Sequence, residues 1–324
     1  MRRREFITLL GGATAWPAVA FAQSKGAGAW RLGALLYSNP QSDPQMEAIR
    51  RGLSELGYAE GRNITIEYRY AEGRLDRLPN LAAELVALRP SVILAIGGDV
   101  APIAKKVDQT IPLVFVSSAD PEQLGLVANL RRPGGNATGV TLFQDALASK
   151  RLELLKEAAP NISKVAFVWY PEHPDNEHRE AQRAAQALGL QLYPVEVRGS
   201  DDFEAALSEA NRVDVDSIYV VSSRLTVLNM RKLVQFATKN HLPLVGGWGA
   251  WAKEGALFSY GPDGIAMAGR AASYVDKIFK GANPGELPVE QPFKFELIIN
   301  LKTANALGLS LPHSLLSRAD ELVD

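Results

Sequence analysis

The chain has 324 residues, 47% of them hydrophobic and 22% charged, with 35 basic against 36 acidic side chains, a net charge of −1 and no cysteine. This mix buries a core and excludes global disorder, while the balanced charge excludes the basic footprint of a nucleic-acid binder. The lack of cysteine excludes disulfides, thiolate metal sites, iron–sulfur clusters, a cysteine nucleophile and an acylated lipoprotein N-terminus.

Met1 to Ala22 (MRRREFITLLGGATAWPAVAFA) reads as a secretory signal. Arg2, Arg3 and Arg4 precede an apolar stretch from Phe6 to Val19, and Ala20-Phe21-Ala22 makes an A-x-A cleavage site before Gln23. The stretch is broken by Gly11, Gly12 and Pro17 and is shorter than the roughly 20 residues that span a bilayer. Arg3-Arg4-Glu5-Phe6-Ile7 also fits the twin-arginine export pattern, with ordinary Sec export left open. Removal of the leader moves the net charge from −1 to −3. The expected product is a periplasmic, unlipidated protein with no membrane insertion.

Beyond the leader, strands and helices alternate. Arg31 to Tyr37 is a short apolar strand ending in Ser38-Asn39-Pro40. Next stands a helix with Asp43 as N-cap, Pro44 in its first turn, a face of Met46, Ile49, Leu53 and Leu56, and Gly57 as its stop. Asn63 to Tyr70 reads as a strand, Leu75 to Leu88 as a helix closed by Pro90, and Ser91 to Ile96 as a buried strand entering Gly97-Gly98-Asp99. A helix over Val100 to Asp108 and a strand over Pro112 to Val116 complete this unit. Continuous apolar strands between helices signal a parallel sheet covered on both faces.

The pattern then restarts, and the stretch from Pro133 to Asp145 is expected to cross between units. Helices are expected at Leu147–Ala159, Asn176–Leu188, Asp202–Arg212 and Val227–Asn240. The intervening strands are Lys164–Tyr170, Gln191–Val197, Ser217–Val221 and Leu242–Val245. Two successive doubly wound units predict two similar lobes.

In open parallel sheets ligands sit beyond the carboxyl ends of the strands. Those ends hold Tyr37, Ser38 and Asn39, then Gly98 and Asp99, then Ser117, Ser118 and Asp120 in the first unit. In the second they hold Tyr170, Ser222, Trp248 and Tyr260. Small hydroxyls and glycines suit an anionic or polar group, and the aromatics suit an apolar or ring-shaped body. Any one of these side chains could equally serve as a helix cap or as core. Catalytic patterns are missing: no H-E-x-x-H, G-x-S-x-G or phosphate loop occurs, and Gly97-Gly98 lacks the third glycine of a dinucleotide site. His173 and His178 stand among Glu172, Asp175 and Glu177, which reads as a solvated helix start capped by Asp175 or Asn176. Glu177 to Arg183 reads as a wet helix face. No cofactor and no metal is called for.

The C-terminal stretch carries a family resemblance: Ser259-Tyr260-Gly261-Pro262, then GRAASYVDKIFKGANPGELPVEQP and KFELIINLKTANALGLSLPHSLLSRADELV. With PGGNATGVT (Pro133 to Thr141) and REFITLLGG, it resembles the substrate-binding proteins of bacterial ABC transporters, in the group of tryptophan- and tyrosine-type binders. The resemblance implies an α/β chain with the type I periplasmic-binding-protein fold, two Rossmann-like lobes with parallel sheets joined by three crossings. It implies a first lobe of residues 29–143 plus 261–292 and a second of 144–260 plus 293–324. The crossings would lie near Leu142 to Ala146, Tyr260 to Pro262 and Gln291 to Phe295. It further implies a monomeric, non-enzymatic receptor that closes on one small solute, an amino acid or a related aromatic or carboxylated molecule, and docks on a membrane permease. An exported receptor signalling to a membrane sensor, or an exported α/β hydrolase, is the alternative. Two places depart from the family pattern: Asp99, an acid that would hold an ammonium and repel a carboxylate, and the tryptophan-rich Gly246 to Trp251.

Overall fold

The structure, a computed structural model, describes residues 30–40, 43–173 and 176–324. The leader with its twin-arginine motif and cleavage site lies outside the described residues, as does Asp175.

The first sheet has the order β2-β1-β3-β4-β5, from β1 (Trp30–Leu36), β2 (Ile64–Tyr70), β3 (Val92–Ile96), β4 (Leu113–Ser117) and β5 (Ala137–Thr141). All its pairings are parallel. Helices α1 (Pro44–Glu55), α2 (Leu78–Ala87) and α3 (Val100–Val107) connect the strands. The central strands are buried along their whole length, as VILAI in β3 shows, because helices cover both faces.

The second unit runs α4 (Ala148–Ala158), β6 (Lys164–Trp169), α5 (Glu177–Leu188), β7 (Gln191–Glu196), α6 (Phe203–Arg212) and β8 (Ser217–Val220). It continues through α7 (Arg224–Leu228), α8 (Met230–Lys239), β9 (Leu244–Gly246), α9 (Gly249–Glu254) and β10 (Phe258–Gly261). After α10 (Gly264–Phe279) come β11 (Glu296–Asn300), α11 (Leu301–Ala306), α12 (His313–Leu316) and β12 (Glu321–Val323). The sheet order is β12-β11-β10-β9-β8-β6-β7. β11 pairs antiparallel with β10 and parallel with β12, so these last two strands oppose the rest.

The chain passes between the sheets three times: from β5 into α4, from β10 into α10, and from Glu290, bridged to Val140, into β11. α10 returns to the first sheet and packs on α1. Gly52 permits that approach, since a Cβ there would stand 2.9 Å from the Ala272 Cβ and 3.0 Å from the Gly269 carbonyl oxygen. One apolar cluster belongs to the α1 and α10 side of the first sheet and another to the second lobe. A third runs from lobe to lobe, joining Tyr37, Ala71 and Val100 to Tyr170 and Leu225.

Several local expectations need correction. Ala137–Thr141, read as part of a crossing, is an edge strand: its small and β-branched residues pair with Leu113–Ser117, and the crossing begins after it. Leu56 is exposed at the C-cap of α1. The helix expected over Val227–Asn240 begins at Arg224, capped by Ser223, and breaks at Asn229. Leu75–Arg77 is a 3₁₀ turn ahead of α2. Glu177, placed on a wet helix face, is fully buried because the Arg151 guanidinium meets it at 2.7 Å. His178 stacks on Trp169, with ring centroids 3.9 Å apart.

Candidate functional site between the lobes

The polar residues at the strand ends of the two sheets face each other. After β1, the Tyr37 hydroxyl donates to the Gly73 carbonyl at 2.7 Å, and Ser38 donates to Asp43. Asp43 caps α1, accepting from the Gln45 and Met46 amides at 3.1 Å each. After β3, Gly98 lies against the next strand end: a Cβ there would stand 3.0 Å from the Ser118 Oγ and 3.2 Å from the His173 Cε1. Asp99, at the start of α3, accepts from the Nδ1 of His173 at 2.7 Å, and the Ser118 Oγ lies 3.4 Å from its Nε2. His173 comes from the second lobe, three residues beyond Tyr170, so this is a buried contact between lobes.

Two phenols flank the acid. Burial first, then the nearby Asp99 charge, push Tyr37 far above the ordinary tyrosine range. Burial, then the hydrogen bond to Glu172, do the same for Tyr170, whose hydroxyl donates to Glu172 at 2.8 Å. Asp99 also acts electrostatically on Tyr170, so both phenols stay protonated beside it.

A second buried contact joins the lobes beside the first. From the start of α7, Arg224 Nη2 donates to Asp43 at 2.6 Å and Nη1 to the Gln45 side chain at 3.1 Å. At the rim, Asn176 of the second lobe donates to Gln123 of the first. Asp120 sits in this rim turn, accepting from the Glu122 amide at 2.8 Å and the Gln123 amide side chain at 3.1 Å.

Of the residues expected from the sequence, Tyr37, Gly98, Asp99, Ser118 and Tyr170 gather at one place, with Ser38 tied to Asp43 next to it. Asn39 is half-buried beyond β1. The remainder are occupied elsewhere. Ser117 is fully buried and bonds to the Ala119 backbone. Ser222 is fully buried in a network at the crossings, its hydroxyl donating to Gln144 at 3.0 Å and its amide to Glu177 at 3.1 Å. Tyr260 lies at the second crossing, where its carbonyl accepts from Arg151 Nε at 2.8 Å. Trp248 lines a groove of about 340 Å³ between the lobes, with Gln45, Arg224 and Ile265 among the other walls. Trp251, grouped with it in the sequence, is core: its indole packs where a Cβ on Gly246 would come within 2.6 Å.

His173, Arg224, Asp43 and Gln45, with Asn176 and Gln123 at the rim, are interlobe residues that strand-end reading missed as site residues. For Arg224 the signal was present, since it directly succeeds Ser222-Ser223 at the end of β8. For His173 the signal was ambiguous, because an acidic neighbourhood on a loop also describes a solvated helix start.

Two Rossmann-like lobes with parallel-dominated sheets, joined by three crossings and facing each other with their strand ends, define the type I periplasmic-binding fold. The profile of the ABC transporter substrate binding protein family matches residues 34–323, and the chain belongs to that family. It is 26% identical over 278 residues to a tyrosine-binding protein of Clostridioides difficile, covering 85% of this chain and 79% of that protein. Among solved structures, a conserved domain protein of Vibrio cholerae is 26% identical with a TM-score of 0.84, covering 91% of this chain and all (100%) of that one. A Streptococcus pneumoniae ABC domain in complex with L-Trp is 23% identical with a TM-score of 0.83, at the same 91% and 100% coverage.

Proposed function

We propose that this protein is the solute receptor of an ABC importer: exported to the periplasm, unlipidated, and closing on one small amine-bearing molecule. An amino acid or a related aromatic or carboxylated compound is the solute. The lobes are residues 29–143 plus 261–292 and residues 144–260 plus 293–324, rotating about the three crossings, and the closed form is what the permease engages.

The observation that carries this reading is the pair of buried polar contacts from lobe to lobe, the hydrogen bond of Asp99 with His173 and the ion pair of Asp43 with Arg224. Neither can persist when the lobes part, so both belong to a closed arrangement. The TM-score of 0.83 to the L-Trp complex, against 0.62 to a ligand-free, open substrate binding protein from Clostridium difficile, supports the same conformation. Asp99 supplies the chemistry. A carboxylate only accepts hydrogen bonds, and between two protonated phenols in a water-poor cleft it attracts an ammonium group more strongly than an exposed acid would. The tyrosine-binding relative and the L-Trp complex support an amino acid as the first class to test. Binding and closure account for the cleft with no reaction step.

A thermal-shift screen of L-amino acids, aromatic acids and sugars tests this reading. A saturable rise in Tm with at least one amino acid, and no product formed, is the expected result. No rise with any of the three classes, or turnover of any of them, would contradict it.

A further inference from the structure

We propose that Arg224 is the closure latch of the receptor: it governs how long a captured solute is held, by tying the lobes together, and takes no part in choosing that solute. This rests on the receptor reading and gives closure and selection to different residues, Arg224 and Asp99.

The latch is fixed on the second lobe. Ser223 caps α7, its Oγ accepting from the Thr226 amide at 3.2 Å while its own amide donates to the Thr226 hydroxyl at 3.3 Å. That hydroxyl donates in turn to the Val221 carbonyl at 2.7 Å, which ties the turn to the end of β8. Ser222, Ser223 and Thr226 are fully buried, so Arg224 leaves the lobe from a set point. Its side chain passes Gly97, where φ is +129° and a Cβ would stand 3.3 Å from the Arg224 Cγ. A larger residue there would be strained in its backbone and would crowd the path of the arginine.

The catch is preformed on the first lobe. One Asp43 oxygen accepts from the Gln45 and Met46 amides and the other from Ser38, all of them first-lobe groups. They hold the carboxylate in place whether the lobes are together or apart. Closure adds the guanidinium, with Nη2 at 2.6 Å from Asp43 and Nη1 at 3.1 Å from the Gln45 side-chain oxygen. The Gln45 amide nitrogen reaches the Gly264 carbonyl at 3.4 Å, at the start of α10 just past the second crossing. Arg224 and Asp43 are both buried, so water screens their attraction little.

Selection lies on the other side of a loop. The Cβ direction of Gly97 meets Arg224, whereas that of Gly98 meets Ser118 and His173, so the Gly97-Gly98 turn stands between the latch and the Asp99 contact. With Nη1 and Nη2 both taken by the first lobe, Arg224 acts on a solute through closure. Opening must break both bonds before the solute leaves, and loss of a buried charge pair shows chiefly in the dissociation rate.

Calorimetry for affinity and surface plasmon resonance for rates, on the full chain with L-tryptophan, L-tyrosine and tryptamine, test the assignment. Arg224→Gln leaves Asp43 its first-lobe donors, and Asp43→Asn keeps a side chain that caps a helix. Each variant is expected to weaken all three solutes by one common factor, roughly 10- to 100-fold, carried by faster dissociation. The double variant should lose little beyond the worse single one, and Arg224→Lys should recover part of the loss. If Arg224→Gln does not fold, Asp43→Asn and Arg224→Lys carry the same comparison. No loss, losses that differ among the three solutes, losses that add in the double variant, or an effect on association alone would overturn the latch and leave the receptor reading standing. A wild-type chain that binds none of the three would remove both.

Discussion

Replacing Arg151 by methionine tests how the crossings are held. Arg151 is fully buried and donates to Glu177 at 2.7 Å, the Tyr219 hydroxyl at 3.1 Å, the Gln144 carbonyl at 3.2 Å and the Tyr260 carbonyl at 2.8 Å. Gln144 lies on the first crossing and Tyr260 at the second, so one guanidinium ties both to the second lobe. Burial works against its charge, but Tyr219 and Glu177 outweigh that and hold its pKa above the ordinary arginine value. Arg151→Met takes from the buried Glu177 carboxylate its cationic partner, while the Tyr219 hydroxyl and the Ser222 amide still donate to it. Breaking a buried pair from one side costs about 3–5 kcal/mol, which urea unfolding reads as a lower midpoint at unchanged slope. Urea unfolding of wild type, Arg151→Met and Arg151→Met/Glu177→Gln measures it. The double variant removes both charges of the pair, keeps an acceptor for Tyr219, and is expected to be more stable than the single one. A single-variant loss below about 1 kcal/mol, or a double variant no better than the single, would refute this reasoning.

Asp99→Asn is expected to lower affinity for amine-bearing solutes roughly 10- to 100-fold in calorimetry; unchanged affinity would remove Asp99 from the site. Tyr58 is pushed up to about 12 by burial and by its hydrogen bond to Asp276. A raised folded-state pKa contributes stability that is present below the ordinary tyrosine value of 10.0 and lost as pH rises through about 12. Tyr58→Phe should therefore flatten the alkaline decline of Tm between those two values, and an unchanged decline would place its cause elsewhere.

The fold was legible wherever burial wrote a period into the chain. VILAI and LVFVS could be little else than strands covered on both faces, and Asp43-Pro44 marked the start of α1. Ala137–Thr141 was not legible, because ATGVT has small, weakly apolar residues whose burial comes from tertiary partners, β4 on one side and the Glu290 bridge on the other. At the site, Tyr37, Asp99 and Tyr170 were within reach because each stands just past the carboxyl end of a buried strand. Arg151, Glu177 and His173 were not: each is a charged or polar residue whose burial depends on a partner more than 25 positions away. Local sequence records an exposed and a buried glutamate identically, and only the tertiary partner tells them apart.

The claim that the lobes close on a small amine-bearing solute is tested most directly by an interlobe distance. Because the chain has no cysteine, Lys106→Cys on α3 and Glu204→Cys on α6, both exposed, give two unique labelling sites, one per lobe. Spin- or dye-label distances are then recorded during titration with the amino acid that raises Tm. The expected result is a saturable shift to one shorter, narrower distribution, weakened in parallel with affinity by Asp99→Asn. A distribution that does not move while the solute saturates its site would contradict closure.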